Sequence, residues 1–184
     1  MAADVHLWWI GADAPDNVLM EEMRRAVERV YRLRARRFAH PDRPTHAFDP
    51  KRGQHSSTEI LRWLVGRGHP AGRVVAVTDV DLFIPVLTYV YGEAQLCGRA
   101  AVVSTARLSL DLEAAAKPSV RVARVVKETV HELGHTFGLL HCDTASCVMS
   151  RSVSLIDVDS KDAAICARCD VLYEEFRRKE GHDE

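Results

Sequence analysis

The hydrophobic and polar positions along the chain predict a mixture of strands and helices. Short apolar runs rich in β-branched residues predict strands at 5–10, 73–78, 86–91 and 100–104. Apolar residues at helical spacing predict helices at 16–38, 56–66 and 118–139, and a last helix that ends near residue 179. Segments 40–54, which holds three prolines, and 142–160 follow neither period, so we expect irregular structure in both.

Two of these helices have a predicted core face. In the helix at 118–139 the apolar positions recur every three or four residues, at Val122, Val126, Val130, Leu133 and Phe137. In the last helix the expected inward positions are Ile165, Cys169, Leu172 and Phe176. His131 and His135 lie on the side of their helix opposite its core face, so we expect both to face a cleft.

The segment from His131 to His141, His-Glu-Leu-Gly-His-Thr-Phe-Gly-Leu-Leu-His, has the spacing of a catalytic zinc site. His131 and His135 are about 40° apart around a helix, so both imidazoles reach one ion, and Glu132 is turned to the side of that pair. A continuing helix would carry His141 past the metal, but Gly138 tolerates the left-handed conformation that turns the chain back. Three neutral imidazoles and a water make the open site typical of catalytic zinc. The alternative, histidines on a solvated surface helix, would leave the positions of Gly138 and His141 to chance.

Four of the five cysteines form two close pairs, Cys142-x4-Cys147 and Cys166-x2-Cys169. Two thiolate pairs joined by an irregular loop are what a tetrahedral all-sulfur zinc site requires. The alternatives are two disulfides, which a reducing compartment disfavours, or four buried free thiols. Cys97 has no partner in this arrangement, and we expect it to be a small core residue.

The two predicted metal sites are adjacent in the chain. His141 and Cys142 are consecutive, so a metal held by the cysteines would fix the loop that presents the third histidine. Met149 lies in the same loop and is placed to form a methionine-containing turn beneath the histidine site.

Composition and charge narrow the function classes. With 184 residues, 47% hydrophobic and 28% charged, the chain has the profile of one globular domain. The net charge of −1 argues against a nucleic-acid or membrane partner, and no apolar run reaches the length of a membrane span. A rival prediction, a nucleic-acid binder that uses the cysteine site, rests on four clustered arginines, Arg32, Arg34, Arg36 and Arg37.

The start of the chain lacks the pattern of a secretory signal, so we expect a cytoplasmic protein; the oligomeric state stays open.

The motif His131-Glu-Leu-Gly-His-x2-Gly-x2-His-Cys142-x4-Cys-x-Met149, followed after 16 residues by Cys166-x2-Cys, closely resembles the archaemetzincins. Tyr91-Gly-Glu-Ala, the run at 101–104 and Arg107-Leu108 extend the resemblance over about 74–170. It implies an α/β (α+β) metzincin-like fold in one domain, 1–184. A twisted mixed sheet, a backing helix and the active-site helix would form subdomain 1–138, and 139–184 a small zinc-stabilised C-terminal subdomain.

The resemblance also implies two zinc ions per chain. One would be catalytic, held by His131, His135 and His141, and one structural, held by Cys142, Cys147, Cys166 and Cys169. Family members are described as aminopeptidase-like or as uncharacterised peptidases. The chain departs from some other metzincins two residues after the methionine, where their tyrosine is Arg151.

We therefore expect a zinc-dependent peptidase that acts on peptides or proteins. A zinc-bound water would attack the scissile carbonyl, and Glu132 would serve as general base and then as general acid. An edge strand within 86–91 would pair with the extended substrate. The alternative is a non-catalytic zinc protein that keeps the fold as a binding module. Glu132 argues against that alternative, because metal binding alone does not require it.

Overall fold

A computed structural model describes residues 4–67, 72–109 and 117–181. The strands are β1 (Asp4–Trp9), β2 (Ala35–Ala39), β3 (Phe48–Asp49), β4 (Gln54–Ser56), β5 (Gly72–Thr78), β6 (Leu82–Phe83), β7 (Gly92–Ala94) and β8 (Ala100–Ser104). The helices are α1 (Asn17–Tyr31), α2 (Ser57–Arg67), α3 (Pro118–Thr136), α4 (Leu155–Ser160) and α5 (Ala167–Glu180), with one 3-10 turn at Thr45–Ala47. No helix of the described ranges is long and apolar enough to cross a bilayer.

Five strands form the main sheet, in the order β2-β1-β5-β8-β7. All neighbours in it are parallel except β7, which runs antiparallel to β8 at one edge. Every residue of β5 and β8 is buried, as expected for parallel strands covered on both faces. A second sheet, in the order β3-β4-β6, has three short strands.

The sheet separates two hydrophobic cores. Alternate residues of the central strands, such as Val75 and Val77 of β5, join the core that α1 and α3 cover. Their neighbours Val74 and Ala76 join the core beneath α2. Because side chains of a strand alternate between its faces, one apolar run supplies both cores. The sheet thereby carries α3, the helix with the two histidines, on one of its faces.

The predicted helix at 16–38 is wrong in its second half. Asp16 caps α1, but the helix ends at Tyr31, because Arg32 adopts a left-handed conformation with φ 53°. The chain then turns back, and β2 pairs in parallel with β1. The apolar spacing correctly predicts the buried face of α1, but pairing with β1 is a long-range interaction that a local helical pattern does not reveal.

The predicted strand at 86–91 is also wrong. Within it Val90 forms an isolated bridge to Leu82 and the carbonyl of Tyr91 accepts a hydrogen bond from Ser104 of β8, but the edge strand is β7. Val86 is 84% exposed, so its β-branched side chain has no core to pack against. The segment instead forms a turn, closed by a hydrogen bond from the Leu87 N–H to the Ile84 carbonyl, and leads into β7.

Two further core predictions need correction. In α5 the fully buried aromatic residue is Tyr173, whereas Leu172 is 46% exposed, and Ile165 precedes the helix. Cys97 is exposed, with a left-handed φ of 55°, and is not a core residue. It lies in the turn between β7 and β8, and its backbone N–H donates to the carbonyl of His135.

Candidate metal centres and active site

The structure brings together the three histidines of the motif. His131 and His135 project from successive turns of α3, and His141 follows from the loop after the helix. One ring nitrogen of each lies within 4.8 Å of the others. His131 is buried, His135 half-buried and His141 exposed, so the cluster opens to solvent on one side. This is the arrangement of an open metal site.

Hydrogen bonds orient two of the imidazoles for metal binding. Nδ1 of His131 lies 2.8 Å from the carbonyl oxygen of Val148, and Nδ1 of His135 lies 2.7 Å from that of Leu139. A carbonyl oxygen only accepts, so each Nδ1 carries the proton and each Nε2 presents a lone pair. The two Nε2 atoms are 3.1 Å apart. Two nitrogens bound to one tetrahedral zinc would be separated by about 3.3 Å, so the pair fits the ion.

Gly138 returns the chain toward the first two histidines. The helix ends at Thr136, earlier than the predicted residue 139, and Gly138 has φ 75°. A side chain at this position would be strained, and its Cβ would lie 3.0 Å from Sγ of Cys97. The left-handed turn therefore has the role that the sequence pattern predicts for it, bringing His141 back beside His131 and His135.

Burial keeps the histidines neutral. It lowers the pKa of His131 well below its usual value, and the charge of Lys161 acts in the same direction. Burial also lowers the pKa of His135 and of His141; for His141 the neighbouring His135 and Arg151 add to the effect. A neutral imidazole is the form that binds a metal.

Met149 lies beneath the histidine pair. It is completely buried, and a Cβ at Gly134 would lie only 2.5 Å from its Sδ. Gly134 precedes His135 on α3, so the thioether packs directly against the helix between the two histidines. The carbonyl of Met149 accepts a hydrogen bond of 2.9 Å from the backbone of Cys142, which ties this turn to the loop after His141.

Glu132 lies at the base of a cleft of about 560 Å³. The three histidines and Glu128 line the same cleft, whose opposite wall is residues 87–94. Glu132 is 6% exposed, and burial raises the pKa of its carboxyl well above the usual value; Glu128 adds to this and Lys161 opposes it. A buried carboxyl with a raised pKa beside a metal site is suited to accept and release a proton.

Gly92 determines how closely β7 approaches Glu132. A Cβ at Gly92 would lie 2.7 Å from Cγ and 2.8 Å from Oε1 of Glu132, closer than van der Waals contact allows. On the other side of β7, the carboxylate of Glu93 accepts hydrogen bonds from Ser57 and Thr58 at the start of α2. The edge strand is thus held by α2 while its glycine leaves room for the Glu132 side chain. Sequence reasoning noted the glycine but did not assign it this role.

A buried ion pair lies next to the site. Nζ of Lys161 is 2.8 Å from Oε1 of Glu128, and the two side chains are 0% and 4% exposed. The same Nζ lies 3.4 Å from the carbonyl of Ser150, beside the Met149 turn. The pair therefore links α3 to the loop beneath it. Nothing in the local sequence indicates it, since Lys161 ends a polar stretch that resembles a solvated turn.

The four paired cysteines also converge, with all Sγ atoms within 4.8 Å of one another. The Cys142–Cys166 and Cys147–Cys169 sulfur distances are both 3.8 Å. Sulfurs bound to one tetrahedral zinc at about 2.3 Å would be about 3.8 Å apart, whereas a disulfide requires about 2.05 Å. The geometry fits a metal and not two disulfides. A hydrogen bond from the Cys169 backbone, the largest influence, lowers the pKa of Cys166 to about 6, so this thiol ionises readily.

Comparison with known families agrees with this geometry. The model of peptidase family M54 matches residues 70–175, more than half of the chain. The chain belongs to peptidase family M54. The archaemetzincin of Methanopyrus kandleri is 45% identical over 138 residues, 75% of this chain and 76% of the relative. That of Methanocaldococcus jannaschii is 42% identical over 131 residues, 70% of each chain.

Solved structures support the same assignment. The crystal structure of the M. kandleri archaemetzincin matches with a TM-score of 0.82 and 36% identity, covering 96% of both chains. The archaemetzincin of Archaeoglobus fulgidus, solved in complex with malonate, matches with a TM-score of 0.78 and 30% identity, covering 92% of this chain and 99% of that one. Metalloproteinase-II from Bacteroides fragilis, 11% identical with a TM-score of 0.58, shares the fold alone. The predicted archaemetzincin fold is therefore confirmed.

Membership of family M54 implies that this protein is a zinc metallopeptidase that acts on peptides or proteins. The alternative of a non-catalytic zinc protein is not favoured by these relatives. The prediction of a zinc cofactor agrees with the two ligand clusters in the described part of the chain.

Proposed function

We propose that His131, His135 and His141 hold the catalytic zinc ion and that Glu132 is the general base of peptide hydrolysis. The convergence of the three imidazoles, two of them with Nδ1 bound to carbonyls and Nε2 free, is the observation that carries the proposal. A zinc ion at this position would supply a Lewis acid that polarises the scissile carbonyl and acidifies water.

The chain's own part of the reaction is proton transfer and substrate placement. Glu132, at the base of the cleft, takes a proton from the attacking water and delivers it to the leaving amine. Burial raises the pKa of this carboxyl, which makes it a stronger base toward the attacking water. The edge of β7 that β8 leaves unpaired lines the same cleft and would add the substrate backbone as a further strand. We therefore assign the pairing with the substrate to β7, and not to the segment at 86–91.

We also propose that Cys142, Cys147, Cys166 and Cys169 hold a second, structural zinc ion, so that each chain carries two. The sulfur separations of 3.8 Å support it. This ion would tie α5 to the loop after His141 and stabilise 139–184 as a C-terminal subdomain of the single domain 1–184. Thiolates kept free for a metal suit a reducing compartment, which favours a cytoplasmic location. Elemental analysis of protein purified without chelators or metal-affinity tags should find two zinc ions per chain. A value of one zinc ion per chain would contradict one of the two proposed sites.

The Glu132→Gln variant tests the proposed base. Glutamine keeps the size of the side chain but does not accept the proton, so we expect kcat to fall by about 10²- to 10⁴-fold while zinc content and the unfolding midpoint stay unchanged. The control is Glu175→Gln, an exposed carboxyl on α5 outside the cleft, which should retain wild-type kcat. Full turnover in zinc-loaded Glu132→Gln would refute the assigned role.

A further inference from the structure

Two of the three acidic residues that line the cleft are engaged within the protein, and the third is Glu132. Glu93 accepts hydrogen bonds from Ser57 and Thr58 at the start of α2. Glu128 forms the buried pair with Lys161. Neither carboxylate is therefore a strong attractant for a cationic substrate.

Arg151 is the one arginine or lysine among the described residues that line the cleft. It lines the cleft and is exposed, and within the ranges that the structure describes it forms no ion pair or hydrogen bond. It lies near the metal site, because the three histidines line the same cleft. Some exposed arginines elsewhere in the described residues have acidic partners, as Arg62 has in Glu59 and Arg32 in Asp170, whereas others, such as Arg29, have none.

The surroundings of Arg151 suit a peptide that carries a carboxylate. A guanidinium offers a planar fork of donors that matches a carboxylate with two parallel hydrogen bonds. The hydroxyl oxygen of the next residue, Ser152, is buried and has no hydrogen-bond partner in the described part of the chain. The cleft walls beside it carry apolar side chains that remain open to solvent, Leu87 at 51% and Val153 at 71% exposure. Apolar walls flanking a single free cation favour an amphipathic, anionic peptide segment.

We propose that Arg151 is a carboxylate-binding residue of this cleft, and that the peptidase prefers peptides with a carboxylate close to the scissile bond. An acidic side chain and a free C-terminal carboxylate offer the same chemistry, and either one satisfies Arg151. This inference rests on the proposed function, since it assigns the substrate class of the same cleft.

Binding is measured first, in the Glu132→Gln background, so that turnover does not interfere. The probes are fluorescently labelled heptapeptides of neutral residues with amidated C termini, carrying either Glu or Gln at each position in turn. A second series keeps Gln throughout and compares a free with an amidated C terminus. Fluorescence polarisation should show tighter binding for the carboxylate member of at least one pair, by about five- to tenfold at low salt. The preference should shrink as ionic strength rises.

Adding Arg151→Gln should abolish the preference without weakening the binding of the neutral peptides. Arg151→Lys should retain part of it, because lysine keeps the charge but not the fork. The matched control is Arg29→Gln, an exposed arginine on α1 that does not line the cleft, which should leave the preference intact. A preference in the Glu/Gln series identifies an acidic side chain as the group that Arg151 binds. A preference in the second series identifies the C-terminal carboxylate. Equal binding of all pairs, or a preference that persists in Arg151→Gln, overturns the proposal.

Turnover of the same peptides separates this inference from the proposed function. In a chain with Glu132 intact, Arg151→Gln should lower kcat/KM for the preferred acidic peptide by about five- to tenfold and leave the neutral peptide within about twofold. Hydrolysis of both members at equal rates would overturn the assignment of Arg151 and leave the peptidase mechanism standing. Failure of the wild type to hydrolyse any peptide would contradict the proposed function, while the binding measurement would still decide the role of Arg151.

Discussion

Buried charges cost free energy, and the Lys161–Glu128 pair allows that cost to be measured in this fold. The two side chains are 0% and 4% exposed, and their charged atoms are 2.8 Å apart. Replacing Lys161 by methionine keeps the length of the side chain but leaves Glu128 buried without a counter-ion. Glu128→Met leaves the lysine in the same position, and the double variant removes both charges.

The burial of the two residues sets the expected magnitudes. Breaking a buried ion pair by removing one partner costs about 3–5 kcal/mol, because an uncompensated charge stays in a poorly solvated environment. Replacing both partners by apolar residues of similar volume is often close to neutral, so the double variant should unfold within about 1 kcal/mol of wild type. Each single variant should thus be much less stable than the double variant, and the cycle should show a coupling of at least about 3 kcal/mol.

Urea unfolding of the zinc-loaded protein measures these differences. The matched control is the exposed pair Glu59–Arg62, whose side chains are 41% and 70% exposed. Removing either member of that pair should cost less than about 1 kcal/mol. If Lys161→Met costs no more than Arg62→Met, or if the double variant is as unstable as the sum of the singles, the reasoning from burial is wrong.

Two further predictions concern the architecture around the metal sites. The Cβ added by Gly92→Ala would lie 2.7 Å from both Cγ of Glu132 and the carbonyl oxygen of Val102. The variant should therefore displace Glu132 and shift β7, and lower kcat by about tenfold to a hundredfold with zinc retained, because small misplacements of a catalytic group are costly. Gly66→Ala, whose Cβ meets nothing within 4 Å, is the control and should keep wild-type kcat; an equal loss in both variants would contradict the contact with Glu132. Cys166→Ser should weaken zinc retention at the histidine site as well as at its own, since Cys142 follows the third histidine directly. Zinc titration of the folded variant tests this, and an unchanged histidine-site affinity would show that the sites are independent.

The candidate sites were the part of this protein most accessible from sequence. The ligand spacing on α3 is local, because residues four apart on a helix share a face wherever that helix packs. The turn at Gly138 is local too, since a left-handed φ at that position is a property of the residue type. Cys142 and Cys147 precede the segment that contains α4, and Cys166 and Cys169 follow it. The four sulfurs converge once the two ends of that segment come together.

Elements that depend on distant partners were predicted less well. The helix expected at 16–38 ends at Tyr31, because the residues at 35–39 pair with β1 as strand β2 instead of continuing α1. The edge strand is β7, not the segment at 86–91, because β8 pairs with Gly92–Ala94 and, within the predicted segment, bonds only to the carbonyl of Tyr91. In both cases the local apolar pattern was compatible with two structures, and a strand distant in sequence decided between them.

The sequence by itself determined the identity and order of the proposed ligands, the helix that carries two of them, the glycine that turns the chain toward the third, and the family. These depend on interactions within a few residues of one another. Only the tertiary structure decided that Gly92 packs against Glu132, that Lys161 pairs with Glu128 beneath the site, and that Arg151 lies in the cleft with no ion-pair partner among the described residues. Contacts of this kind join segments far apart in the chain, and their energies depend on burial, which no local pattern specifies.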